Sequence, residues 1–116
     1  MQELRSPADG AGFASDYQAV EPAPAEVQAL PGLTLLEFGS AWCGHCRAAQ
    51  RPLAAAMAGH PSLRHLKIAD GPGQPLGRAY RVKLWPTLVL LRDGVEIGRA
   101  VRPGDQQAID ALLAAH

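Results

Sequence analysis

The chain has 116 residues, the size of one ordinary domain, and its 47% apolar and 19% charged content is globular rather than disordered. Eleven Lys and Arg balance eleven Asp and Glu, which excludes a generally basic nucleic-acid binder. Two cysteines are too few for a disulfide-stapled secreted scaffold, and no apolar run approaches the roughly 18 residues of a membrane helix. Met1 to Gly12 also lacks the apolar stretch of a signal peptide. The expectation is a soluble cytoplasmic monomer with no nucleic-acid and no membrane partner. A signal removed before this start would make it periplasmic.

Residues 1–15 are rich in Ala, Gly, Pro and acids and read as a flexible N-terminal tail, leaving residues 16–116 as the domain. Asp16 to Val20 alternates as a short strand would. Ala25 to Leu30 is a two-turn helix entered by prolines and stopped by Pro31-Gly32. Leu33 to Phe38 is a buried strand. Small residues follow, then Trp42-Cys43-Gly44-His45-Cys46, then helix formers from Arg47 to Ala58, in which Pro52 removes one donor and kinks the helix. Leu63 to Ala69 reads as a strand and Leu76 to Tyr80 as a short helix. Thr87 to Leu91 is apolar or β-branched on both faces, as in a central strand. Asp93-Gly94 is a strong hairpin signal leading into Glu96 to Val101, and Gly104-Asp105 opens a last helix. The predicted class is α/β, with a central mixed sheet of four to five strands flanked by helices.

Two cysteines separated by two residues form a redox couple, hold half a zinc site, or are small buried hydrophobes. Here a buried strand ends at Phe38 and a helix begins around Cys43. At a helix start the unpaired N–H groups and the macrodipole favour negative charge. A thiolate at Cys43 is such a charge, both reactive and a good leaving group. Cys46, one turn in, is less exposed and suited to resolving a mixed disulfide, and His45 adds positive charge near Cys43. His60 and His65 follow the cysteines at a spacing close to a two-Cys two-His finger. That finger needs its cysteines on a hairpin and its histidines on one helix face, whereas His60 lies between Gly59 and Pro61 and His65 in a strand. No metal is therefore expected, and the two histidines read as ordinary surface or boundary residues.

With Trp42-Cys43-Gly44-His45-Cys46 after one strand and Trp85-Pro86-Thr87 opening a later one, the chain resembles the thioredoxin family over roughly residues 16–116. The resemblance implies the thioredoxin fold and a thiol–disulfide oxidoreductase. It implies that Cys43 is the attacking nucleophile, that Cys46 is the resolving thiol, and that the two alternate between dithiol and disulfide. It further implies a cis Trp85–Pro86 bond whose loop lies against the cysteines, with Trp42, Gly44, Trp85, Pro86 and Thr87 as the substrate-binding face. A cis bond is plausible only before proline. The redox-active Cys43–Cys46 disulfide needs no bound cofactor. With no nicotinamide- or flavin-type glycine fingerprint in the chain, electrons from a reductase or a small thiol would recharge it after it reduces protein disulfides. A disulfide oxidase or isomerase is the enzymatic alternative; a zinc-binding or scaffold module is the non-enzymatic one.

Glu37 lies near the end of an otherwise apolar strand, six positions before Cys43. A carboxylate there is costly to ionise without a partner, and one behind the cysteines is placed to exchange a proton with Cys46. Lys67, on the neighbouring strand pattern, is a candidate partner. Three positions depart from the family's pattern. Gly39 stands where the best-known thioredoxins carry a second Trp, Pro52 lies one residue further from the second cysteine than the usual helix proline, and Arg102 falls near a frequent Gly. The Gly-His dipeptide resembles protein disulfide isomerases rather than the Gly-Pro of housekeeping thioredoxins.

Overall fold

The computed structural model describes residues 11–115. In chain order the elements are α1 (Pro24–Gln28), β1 (Leu33–Gly39), α2 (Gly44–Ala48), α3 (Gln50–Met57), β2 (Arg64–Ala69), α4 (Pro75–Ala79), β3 (Thr87–Arg92), β4 (Val95–Val101) and α5 (Gln106–Leu113). The strands form one mixed sheet in the order β2-β1-β3-β4. β1 runs parallel to β2, with Glu37 opposite Lys67, and antiparallel to β3, which pairs antiparallel with β4.

Both faces of the sheet are covered, as the apolar character of the central strands requires. Along β1 the side chains alternate. Leu35 joins Leu53 and Met57 of α3 and Ile109 and Leu113 of α5 in one core. Leu36 and Phe38 join Val27 of α1 and Leu76 of α4 in the other. Glu37 shares the face of Leu35 and is fully buried. The predicted hairpin turn is present: Asp93 and Gly94 have φ of 51° and 82°, the pair of left-handed residues that a two-residue loop requires. Asp105 caps α5 by accepting from the Ala108 N–H at 3.0 Å.

Three expectations change. The helix predicted over Arg47 to Ala58 starts earlier, at Gly44, and is interrupted at Ala49. The interruption falls three residues before Pro52, where the proline ring and missing N–H disturb the turn beneath it. Asp16 to Val20 is not a strand. Its pairing with β2 reduces to a single bond, from the Gln18 N–H to the Lys67 carbonyl at 2.8 Å. The boundary drawn after residue 15 lies too late, because Gly12 already donates to the Leu63 carbonyl at 2.8 Å and Phe13 packs on the core. The expectation of a flexible tail for residues 1–10 falls outside the described residues.

Candidate active site

Cys43 occupies the N-cap position of α2, with extended backbone (φ −84°, ψ 120°), and the first turn Gly44-His45-Cys46 follows. The two cysteines are free thiols in unequal settings: Cys43 is half-buried and Cys46 is 1% exposed. Burial by itself would raise the Cys43 thiol. The Cys46 thiol, the backbone N–H groups of Cys46 and His45, and the charge of Arg102 outweigh that and hold it below the ordinary thiol value. Burial pushes the Cys46 thiol the other way, up to about 11; donation to Cys43 and the negative neighbours Cys43 and Glu37 add to this, while a bond from the Ser40 backbone works against it. One sulfur is thus held ready to ionise while the other is kept protonated beneath it.

The contribution of His45 to this balance comes from its backbone N–H. Arg102 is the nearby cation that the sequence did not single out for this role. It has a left-handed φ of 48°, donates from Nε to the Trp85 carbonyl at 2.8 Å, and its backbone N–H donates to the Pro86 carbonyl at 2.8 Å. The Trp85–Pro86 bond is cis. A groove of about 190 Å³ runs between this loop and the cysteine helix, lined by His45, Pro52, Pro86 and Arg102 among others.

The remaining expected face divides in two. Trp42 is 91% exposed and Gly44 is exposed, so both stand at the surface beside Cys43. Trp85 is half-buried, with its Nε1–H bonded to Asp70 Oδ2 at 2.9 Å, and Pro86 is buried beneath. Thr87 turns inward: it is 1% exposed and its hydroxyl donates to the Leu84 carbonyl at 2.6 Å. It braces the proline loop instead of presenting a group to a substrate.

Behind Cys46 lies a buried polar cluster that the sequence showed only in part. Glu37 is partnered, but not by Lys67. Gln50 Nε2 donates to Glu37 Oε2 at 2.7 Å and also to the Cys46 carbonyl at 2.8 Å. His65 Nε2 meets Glu37 Oε1 at 2.9 Å while its Nδ1 accepts from the Ala14 N–H at 2.8 Å, so the ring proton sits on Nε2. Lys67 reaches Glu37 only through Gln50: its ammonium donates to Gln50 Oε1 at 2.8 Å and to the Ser15 carbonyl at 2.9 Å. His65 is therefore not a surface residue but 4% exposed, and both ring nitrogens are committed, which removes a donor from any zinc site. Alternation along β2 held the missing signal, because His65 and Lys67 fall on the same face, the face β1 fills with Glu37. Gln50 and Tyr17 left no comparable trace. Gly39 now has a physical reason: a Cβ there would lie 2.5 Å from Cys46 Sγ and 3.3 Å from the Tyr17 hydroxyl, so the space of a larger residue is taken by those two.

A helix start that activates one thiol, a buried partner one turn on and a cis-proline loop beside them define a thiol–disulfide exchange domain. A sequence model of the thioredoxin family matches residues 20–115. The thioredoxin of Chlamydia trachomatis serovar D is 33% identical over 85 residues, 73% of this chain and 83% of its own. Protein disulfide-isomerase A2 of Pongo abelii is 42% identical over 64 residues, 52% of this chain but 12% of that protein. The structure of reduced thioredoxin 2 from Pseudomonas aeruginosa PAO1 matches with a TM-score of 0.80 at 48% identity, covering 89% of this chain and 95% of that one. The chain belongs to the thioredoxin family, and its activity is that of a protein thiol–disulfide oxidoreductase.

Proposed function

We propose that the chain works as a reductase of protein disulfides. The Cys43 thiolate attacks a substrate disulfide and forms a mixed disulfide. Cys46 then attacks Cys43, which releases the reduced substrate and closes the Cys43–Cys46 bond. The opposed settings of the two thiols support this assignment above all: Cys43 is accessible and held below the ordinary thiol value, and Cys46 is buried and pushed up to about 11. Glu37 is the proton-exchanging group behind Cys46, His45 assists the Cys43 thiolate, and Trp42, Gly44, Trp85 and Pro86 form the face that meets a substrate backbone.

The couple acts without a bound cofactor and as a monomer in a reducing cytosol, where it carries electrons and maintains thiol balance. A separate reductase or a small thiol recharges it. No helix among the described residues is long and apolar enough to cross a membrane. Because stabilising the thiolate favours the dithiol, this Gly-His couple is more oxidising than a Gly-Pro one. Equilibration with glutathione should place it above the roughly −270 mV known for thioredoxin, and a value at that level overturns the claim. The direct test of the reading is alkylation of the reduced protein by iodoacetamide across pH. Cys43 should react with a midpoint well below the ~8.5 of free cysteine, and Cys43→Ser should abolish insulin reduction. A midpoint at the free-cysteine value removes the mechanism.

A further inference from the structure

We infer that Tyr17 is a catalytic residue of the resolving step, its hydroxyl donating a hydrogen bond to the Cys46 sulfur as that sulfur becomes a thiolate. The inference rests on Cys46 being the resolving thiol. Tyr17 reaches the site from a segment outside every helix and strand. That segment is tied to β2 at both ends, by the bond from the Gln18 N–H to the Lys67 carbonyl and by the bond from Lys67 to the Ser15 carbonyl. The Lys67 ammonium sits 4.7 Å from the centre of the Tyr17 ring, a cation–π contact that fixes the ring in place. The hydroxyl and Cys46 Sγ converge on the space above Gly39, 3.3 Å and 2.5 Å from where a Cβ would stand there, which places the phenol to donate to the sulfur. Because Cys46 in turn donates to Cys43, the three groups form a chain of donors running from phenol to Cys46 to Cys43.

The step balances within this set. The Cys46–Cys43 bond forms as the bond from Cys43 to the substrate sulfur breaks. Cys46 gives up its proton to Glu37, the departing sulfur leaves with the electron pair and is protonated in turn, so no net proton is gained or lost, the substrate is reduced and the two cysteines are oxidised. Tyr17 contributes no proton; burial holds its hydroxyl above the ordinary phenol value, and it remains a donor throughout. The ionisable groups that face the pair are Cys43 and Arg47 on the cysteine helix, Glu37 on β1, Lys67 on β2 and Asp16 beside the phenol.

Removing a donor to a thiolate shrinks the thiolate fraction but leaves a more basic, more nucleophilic sulfur. With nucleophilicity following basicity at a slope of about 0.4–0.5, a ten-fold smaller thiolate fraction leaves the rate about three-fold lower. The experiment is stopped-flow reaction of the reduced protein with Ellman's reagent, in which attack by Cys43 and resolution by Cys46 each release one thionitrobenzoate. In Tyr17→Phe, which keeps the ring over Lys67, the second release should be about three-fold slower at pH 7. The deficit should close and then reverse as pH rises through the midpoint. Incorporation of 3-fluorotyrosine at position 17, a more acidic donor, should shift the second release the opposite way, and it remains informative if the Phe variant folds poorly. Equal second-phase rates in all three proteins overturn the proposal, as does a slowing that is the same at every pH. Absence of a second release from the parent protein would instead overturn Cys46 as the resolving thiol, and the role of Tyr17 with it.

Discussion

Glu37 carries a carboxylate at a position where β1 otherwise buries apolar side chains, and two donors from other elements make it tolerable: Gln50 of α3 and His65 of β2. A buried carboxylate that accepts two bonds costs far less than an unpaired one, for which the desolvation penalty stands alone. Its role is testable by sign as well as size. The charge of Glu37 is among the influences that raise Cys46, so if it acted only through its field, Glu37→Gln would ionise Cys46 more readily and speed resolution. If Glu37 takes up the Cys46 proton, the amide cannot do so, and release of substrate at pH 7 should slow by roughly ten-fold or more, as for loss of a general base. Single-turnover release of a bound thiol distinguishes the two, and an unchanged or faster rate removes the proton-exchange role. At this scale the sequence was legible where chemistry was written into consecutive residues, as in Trp42 to Cys46. It was not legible for Gln50 and Tyr17, because nothing local says that distant segments converge on one carboxylate and one sulfur; for His65 only its face was written, in the alternation along β2.

Elements were easier to read than contacts between them. The strands expected over 33–38 and 87–91 announce themselves as runs that are apolar or β-branched apart from Glu37, and Asp93-Gly94 names its own turn. What the turn does for the rest of the fold emerges only in three dimensions. Asp93 Oδ1 accepts from the Gly32 N–H at 2.7 Å, and the Asp93 N–H donates to the Gly32 carbonyl at 2.8 Å, so the hairpin clasps the loop that enters β1. Gly94 has φ of 82°, and a Cβ on it would run into the backbone of Gln28 at the end of α1. Gly94→Ala therefore meets two penalties, a left-handed backbone and a collision with a carbonyl that no rotamer relieves. The expected loss is at least ~2 kcal/mol, read as a lower urea midpoint with unchanged slope. An alanine variant as stable as the parent would show that α1 moves freely against the hairpin. The N-terminal segment illustrates the opposite case: it docks along β2 through scattered bonds with no periodic pattern, and composition alone made it look like a tail.

For the molecule as a whole, the two thiols connect redox state to stability in a way whose direction follows from their displacements. Cys46 is held up to about 11 in the native state against an ordinary value of 9.0, so the native protein keeps a proton that the unfolded chain gives up first. Such a group stabilises the fold fully below pH 9 and stops doing so as pH rises through 11. Cys43 is displaced downward, so its contribution is fully present above the ordinary thiol value and is lost as pH falls through its native value. The stability of the reduced protein should therefore rise towards pH 9 and fall between 9 and 11. Tyr80, also held above its ordinary value chiefly by burial, acts in the same way in both redox forms and cancels in the difference between them. The disulfide form has neither thiol to titrate. Urea midpoints measured on both forms from pH 7 to 11 should show the reduced protein gaining on the oxidised one below pH 9 and losing ground above it. A constant difference would mean that the two sulfurs do not sit in opposed environments, and the division of labour between an attacking and a resolving thiol would lose its physical basis.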